Sequence, residues 1–177
     1  MFFEKVSLEQ WKQDLCDIYY GGIEFNNLPP EEQYSIISLW ENIRLPQRAT
    51  IGSAGYDFYS PVFQTTEFAE AAKIPTGIRW VVDRCEQHSV LMLFPRSGLG
   101  CKKGMRLMNT VGIIDSDYWE SDNEGHIMAI VKTDRYYDIS AGQAFMQGII
   151  LPFGKVDNDC TNTARNGGFG STDGGKQ

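Results

Sequence analysis

The stretch SAGQAFMQGIILPFG, residues 140–154, decides the fold. Ala144 to Leu151 is apolar and of strand length, and it sits between turn-forming residues at Ser140–Gly142 and Pro152–Gly154. The same grammar extends upstream. Strand-like runs at Ile78–Val82, Ser89–Phe94 and His126–Lys132 alternate with turn signals at Ser53-Ala54-Gly55, Pro75-Thr76-Gly77 and Ser97-Gly98. From about Leu45 onward this pattern predicts an all-β architecture of many short strands, a sandwich, barrel or jelly roll. Phe2–Val6 suits a first strand. Leu8, Trp11, Leu15 and Ile18 then recur at helical spacing, and Gly21-Gly22 ends that helix. A second helix opens at Pro30, with Glu31 and Glu32 favourably placed at its positive end and Tyr34, Ile37 and Trp40 as its apolar stripe. Such stripes fit a packed core or, less often, a partner-binding face. The final stretch, NGGFGSTDGGKQ, holds five glycines and one aromatic; it reads as a tail, or as an arm that orders on a ligand.

The 177 residues make one domain of ordinary size, with no internal repeat and no linker long enough to divide it. Hydrophobic residues at 42% and charged residues at 22% give a soluble globular composition. The net charge of −7 argues against duplex nucleic-acid binding through phosphates, and a small phosphate ligand would need local cations or a metal ion. No apolar run reaches the roughly 18 residues of a membrane span. The start, MFFEKVSLEQWKQDL, lacks the features of a signal peptide. Cys16, Cys85, Cys101 and Cys160 form no C-x-x-C pair and there are two histidines, so a zinc site is not expected; reduced thiols and a cytoplasmic location are.

Three glycine-bearing stretches carry candidate chemistry: GSAGYDF (52–58), PRSGLG (95–100) and NGGFGST (166–172). None has Walker A or Rossmann spacing. PRSGLG offers a guanidinium, a hydroxyl and close-approach glycines, the parts of a phosphate cradle, although alone it is more often an ordinary turn. In NTVGIIDSDYW (109–119), two isoleucines lead into Asp115, Ser116, Asp117 and Tyr118. A carboxylate at a strand end beside an aromatic can hold a water or sugar hydroxyl against an apolar wall. An Asx-type turn capping a strand explains the same residues equally well.

In order and at these separations, the stretches resemble the five motifs of the trimeric dUTPase family, of bacterial or phage type. The motifs are GSAGYDF, PRSGLG, NTVGIIDSDY, the weaker AGQAFMQGIILPF and RNGGFGST, together covering roughly residues 45–172. WESDNE (119–124) is an acidic, solvent-facing departure before Gly125. Motif four matches well only at Gly142 and Gln147, and Arg165 stands one residue closer to Gly-Gly-Phe-Gly than in many members. The resemblance implies a dUTPase-type jelly roll (β-clip) over 1–177, with an N-terminal α-helical insertion at about 8–43 and a flexible C-terminal arm at about 162–177.

It also implies a homotrimer that hydrolyses dUTP to dUMP and pyrophosphate by water attack at the α-phosphorus. That activity keeps uracil out of DNA and supplies dUMP for dTMP synthesis. Asp115 would orient the water and contact the 3′-hydroxyl, and Tyr118 would pack flat on the deoxyribose, excluding a 2′-hydroxyl. A β-hairpin over 109–115, with Asn109, Gly112, Ile113 and Ile114, would read uracil, and Met128 would approach the base. Arg96, Ser97, Gly98 and Gln147 would hold the phosphates. Arg165 and Ser171 would close on the terminal phosphate while Phe169 and Gly170 cover the uracil, with the arm reaching a neighbouring subunit's site. Mg²⁺ would arrive with the triphosphate and have no direct protein ligand, with Asp57 touching its waters.

Two rivals remain open at this point. A dCTP deaminase shares the fold, but Cys101 and Ile130 stand where that family carries an arginine and a catalytic glutamate. A dUTPase-fold regulatory protein would instead act through a protein partner, at the helical insertion or at 119–124.

Overall fold

The computed structural model describes residues 1–67, 70–83, 88–163, 165 and 167. Its strands are all antiparallel and mostly short. The principal sheet has the order β2-β3-β12-β7-β9, formed by Gln47–Arg48, Tyr56–Tyr59, Ala144–Pro152, Ser89–Pro95 and Gly112–Ile114. A three-stranded sheet, β5-β10-β8, joins Ala71–Pro75, Met128–Lys132 and Arg106–Leu107. Two further pairs join β1 (Phe2–Lys5) to β6 (Ile78–Val81) and β4 (Gln64–Thr66) to β11 (Tyr137–Ile139). This is the jelly-roll expectation met. Alternate residues of β5, β6 and β7 face inward, so Ile74, Ile78, Trp80 and Leu91 are essentially inaccessible, while on β12 a register shift between Ala144 and Met146 buries the neighbours Phe145 and Met146 together. Each such side chain contributes about 1.5–3 kcal/mol through burial.

Helix α1 (Leu8–Tyr19) starts where Ser7 accepts a hydrogen bond from the Gln10 N–H at 3.1 Å. It ends at Gly21 and Gly22, both at positive φ. Helix α2 (Pro30–Glu41) has proline in its first turn. Its buried face differs from the expected stripe. Tyr34 is 76% exposed, and Ile36 is fully buried, with Leu39, Trp40 and Ile43 packed on the core. The rotation is fixed by α1, since the Trp11 indole N–H donates to the Ile36 carbonyl at 2.9 Å. The Trp40 indole N–H donates to the Val6 carbonyl, also at 2.9 Å, so both helices are clamped to the first strand.

The stretch 119–124 is in part the exposed acidic segment that its charge suggests, with Glu120 and Asp122 facing solvent, but it is anchored at other positions. Ser121 is buried, and the Glu124 carboxylate accepts from Ser7 at the start of α1. Two anchor points explain this: a charge-assisted cap contact on one side and a packed 3-10 turn, Tyr118–Glu120, on the other.

Candidate active site

A cleft of about 710 Å³ opens between the two larger sheets. Strand β8 pairs with β10 and β9 pairs with β7, so the chain must cross between sheets within residues 108–111. Thr110 makes the crossing at φ 66, a costly conformation for a β-branched residue, and Val111 N–H donates back to the Asn109 carbonyl at 2.7 Å. The expected hairpin over 109–115 is therefore a tight turn between sheets, with one bridge, Leu107 to Thr110, because β8 and β9 each pair with a longer strand. Gly112 lets β9 approach β7, since a Cβ there would stand 3.0 Å from that of Leu93. Strand β9 is an edge strand of its sheet, so it presents backbone donors and acceptors along the cleft. Asn109, Gly112, Ile113 and Ile114 line it from this side, and Met128, Ala129 and Ile130 from β10.

Asp115 directly follows β9, with its side chain 53% exposed. Its carbonyl accepts from the Tyr118 N–H at 3.0 Å, which starts the 3-10 turn and swings the phenol ring into the cleft wall. Tyr118 is only 6% exposed. Burial pushes its phenol above the ordinary range, with the Asn123 hydrogen bond and the Arg165 charge pulling the other way, so the hydroxyl keeps its proton. Arg165 reaches back over this corner. Its Nη2 donates to Asp115 Oδ2 and its Nε to Asp117 Oδ1 at 2.8 Å, while the guanidinium carbon lies 5.6 Å from the centre of the Tyr118 ring. Arg165 thus lies on carboxylates of its own chain.

The candidate phosphate residues gather elsewhere. Gln147 of β12 pairs in register with Asp57 of β3 on one side and Phe94 of β7 on the other. Arg96, two residues past Phe94, places its Nε 3.2 Å from Asp57 Oδ1, and Gln147 Nε2 donates to the Pro95 carbonyl at 3.4 Å. Ser97 and Gly98 then open the short helix α3 (Ser97–Lys103), where the first N–H groups have no intrahelical acceptor. The ladder of β7 with β9 ends at Ile114 against Leu91, one residue before Asp115. Arg96 lies five residues past Leu91, so Asp115 and Arg96 stand roughly 17–20 Å apart along the strand direction.

Asn109, Gly112, Ile113, Ile114, Asp115, Tyr118, Met128 and Arg165 are thus brought to one cleft, and Asp57, Arg96, Ser97, Gly98 and Gln147 to a second cluster. Phe169, Gly170 and Ser171 lie outside the described residues. Asp117 went without a role in the sequence, although it stands inside the DSDY stretch; nothing local marks it as the seat of a residue 48 positions away. Among the described residues no group of three or more His, Cys, Asp or Glu could cage a metal, and Asp57 is already met by Arg96. This donor set suits Mg²⁺ carried by phosphate oxygens and water rather than by a protein cage.

The dUTPase sequence family matches residues 41–173. The deoxyuridine 5′-triphosphate nucleotidohydrolase of Lactococcus lactis is 38% identical over 148 residues, covering 78% of this chain and 95% of that protein. The enzyme of the same name from Hahella chejuensis is 37% identical over 143 residues, covering 76% and 90%. The crystal structure of dUTPase from Streptococcus mutans superposes with a TM-score of 0.59 at 38% identity, covering 67% of this chain and 91% of that one. A mutant dUTPase from phage phi11 of S. aureus, in which a structural Mg(II) ion is coordinated, shares the fold at 22% identity and a TM-score of 0.57, covering 70% and 92%.

Proposed function

The chain belongs to the dUTPase family and hydrolyses dUTP to dUMP and pyrophosphate, and we propose that it does so with the cleft under β9 and the Arg96 cluster acting on one nucleotide. The observation that carries this reading is the corner where an apolar slot with an edge strand for its floor ends at Asp115 and is walled by Tyr118. Uracil enters the slot, where the backbone of Gly112 to Ile114 and the Asn109 amide pair with its edge and Met128 lies against it. The closeness of β9 to β7 leaves little room for a thymine methyl. Tyr118 packs on the deoxyribose, and its ring offers a ribose 2′-hydroxyl no partner and no space.

Asp115 aligns a water and accepts its proton as the water oxygen attacks the α-phosphorus. The bond from that phosphorus to the bridging oxygen breaks, and pyrophosphate leaves. A positioned base contributes about 10²–10⁴-fold. Asp115 is paired with Arg165, so Arg165 engaging the terminal phosphate, joined by Ser171 and with Phe169 and Gly170 over the base, would free the carboxylate for the water. Arg96, Ser97, Gly98 and Gln147 hold the phosphate chain. Mg²⁺, when bound, would neutralise charge on the triphosphate, and Asp57 is the residue that would meet it through water.

The ~17–20 Å between Asp115 and Arg96 exceeds what an α-phosphate can bridge, which supports a homotrimer whose sites combine the two clusters from different subunits. The pairing of β1 with β6 and the single core shared by Trp11, Leu15 and Ile36 with the strands support reading 1–177 as one domain, the start of the family match at residue 41 supports residues 8–43 as a helical insertion, and we read 162–177 as its closing arm. Among the described residues no helix is long and apolar enough to cross a membrane, and we place the enzyme in the cytoplasm, where it limits uracil in DNA.

The test is pyrophosphate release from dUTP, dTTP, UTP and dCTP in parallel, with and without Mg²⁺. The expected result is strong preference for dUTP and stimulation by Mg²⁺. Comparable turnover of UTP would overturn the role of Tyr118, and ammonia release from dCTP would overturn the reaction. Ile130 lines the cleft where a deaminase would carry its glutamate, so no ammonia is expected.

A further inference from the structure

Tyr118 is held from behind by a loop that hangs from the first helix. Its hydroxyl accepts from Asn123 Nδ2 at 3.1 Å and donates to the His126 carbonyl at 3.3 Å. The other end of the same amide, Asn123 Oδ1, accepts from the Ser121 hydroxyl at 2.8 Å and from the Gly125 N–H at 3.2 Å. The amide therefore ties the phenol to the loop backbone on both sides.

The loop is not relaxed. Glu124 has φ 55, and at Gly125, φ 70, an added Cβ would fall 2.4 Å from the Trp119 Cα. A strained turn persists only where its surroundings fix it. Here α1 and its N-cap do so at two points just past Asn123. The Glu124 carboxylate accepts from the Ser7 N–H at 2.8 Å and the Ser7 hydroxyl at 2.6 Å. Behind it, His126 Nε2 accepts from the Gly77 N–H at 2.7 Å, so Nδ1 carries the proton and donates to Asp14 of α1 at 2.5 Å. Both His126 and the Asp14 carboxylate are buried.

We infer that Asn123 is a positioning residue for Tyr118, and that α1, by gripping Glu124 and His126, makes the sugar wall rigid enough to reject ribonucleotides. The inference rests on the reading of Tyr118 as the surface that meets the deoxyribose. An aromatic wall cannot select by pairing; it rejects a 2′-hydroxyl only if it does not move. A ring free to recede by the size of one oxygen would admit UTP while still accepting dUTP. Specificity therefore depends on what stands behind the ring, and here that is Asn123 and, through it, the N-terminal helices.

The experiment measures kcat/KM for dUTP and UTP in the full-length enzyme and in Asn123→Ala, Tyr118→Phe, their double variant and Tyr118→Ala. Asn123→Ala should lower the dUTP/UTP ratio about tenfold, the scale of one lost hydrogen bond, chiefly by raising UTP turnover, with dUTP kcat/KM kept within about threefold. Tyr118→Phe should lower the ratio similarly, and the double variant should lose clearly less than the sum of the two, because the bond between Asn123 and Tyr118 is common to both. An unchanged ratio in Asn123→Ala, equal losses for both nucleotides, or additive effects would each overturn the inference. Tyr118→Ala separates it from its premise. If that variant keeps the ratio, the reading of Tyr118 falls and the inference with it. If the ratio collapses there but holds in Asn123→Ala, only the inference falls. Should Asn123→Ala fail to fold, Glu124→Gln forfeits one of the two bonds to Ser7 and should lower the ratio about threefold; an unchanged ratio there overturns the inference too.

Discussion

Strand β7 ends in two different kinds of chemistry. At its start it lies beside β9 and Asp115, where Tyr118 is 6% exposed and the Arg165 side chain 13%. At its finish it delivers Arg96, whose side chain is 44% exposed and held by one carboxylate. The first region is built by shape, from a floor and walls fixed by strand pairing and a strained turn. The second is built by charge, on a short helix and a surface ion pair of the kind worth about 0–1 kcal/mol. Base and sugar need a preformed surface to be told apart. A triphosphate needs only cations and N–H groups that it can gather. Changes at the first end should therefore act on turnover and selectivity, and changes at the second on nucleotide affinity.

The largest effect should come from the shaped end. Asp115→Asn preserves outline and hydrogen-bonding reach but cannot take the water's proton. We expect kcat to fall by at least about 10²-fold, with affinity for a non-hydrolysable dUTP analogue little changed. Turnover near the wild-type value would show that the carboxylate serves only to seat Arg165.

A second experiment tests whether the two ends of one strand serve different nucleotides. Asp115→Asn and Arg96→Ala chains, each nearly inactive alone when dUTP is kept far below the raised KM of Arg96→Ala, are co-refolded in equal amounts. A complete site then needs Asp115 from an Arg96→Ala chain and Arg96 from an Asp115→Asn chain. With random assembly that occurs at about one half times one half, so roughly a quarter of sites should recover. Mixed trimers, verified by mass, that remained inactive would mean that both clusters act within one chain, despite the length of β7 between them.

What the sequence made legible divides along the same line. Strands β6, β7, β10 and β12 and both N-terminal helices lie where the sequence places them, because each is an apolar or periodic run bounded by turn or cap signals. Strands β2 and β8, two residues each, cannot show alternation, and they exist because neighbours supply the pairing. On α2, the spacing Ile36, Leu39, Trp40, Ile43 competes with Tyr34, Ile37, Trp40; only the partner helix decides between them, through Trp11. PRSGLG reads as a turn because of its glycines, yet Ser97–Lys103 is helical, closed by Gly104 at positive φ. In the site, the motif residues of 109–118 are contiguous and so visible together. Contacts such as Asp14 with His126, 112 residues apart, or Arg165 with Asp117 have no local signature at all. At 119–124 charge correctly places Glu120 and Asp122 in solvent but gives no sign that Glu124 pairs with the Ser7 cap.

The smallest expected effect is at Asp57, and it bears on what the exposed end is for. Its carboxylate faces Arg96, so it both orients that guanidinium and competes with phosphate for it. Asp57→Asn removes the competing charge and keeps the shape. If Asp57 did no more than hold Arg96, dUTP would bind slightly tighter in the variant whether or not Mg²⁺ was present. If Asp57 also accepts from the waters of a phosphate-bound Mg²⁺, the variant loses that contact only when the metal is there. We expect the second pattern: KM for dUTP raised about threefold with Mg²⁺, and unchanged or slightly lowered in EDTA, a size set by surface charge pairs. The sign difference between the two conditions is the measurement. A shift of equal size and direction in both would remove Asp57 from the metal's surroundings and leave it as the partner of Arg96 alone.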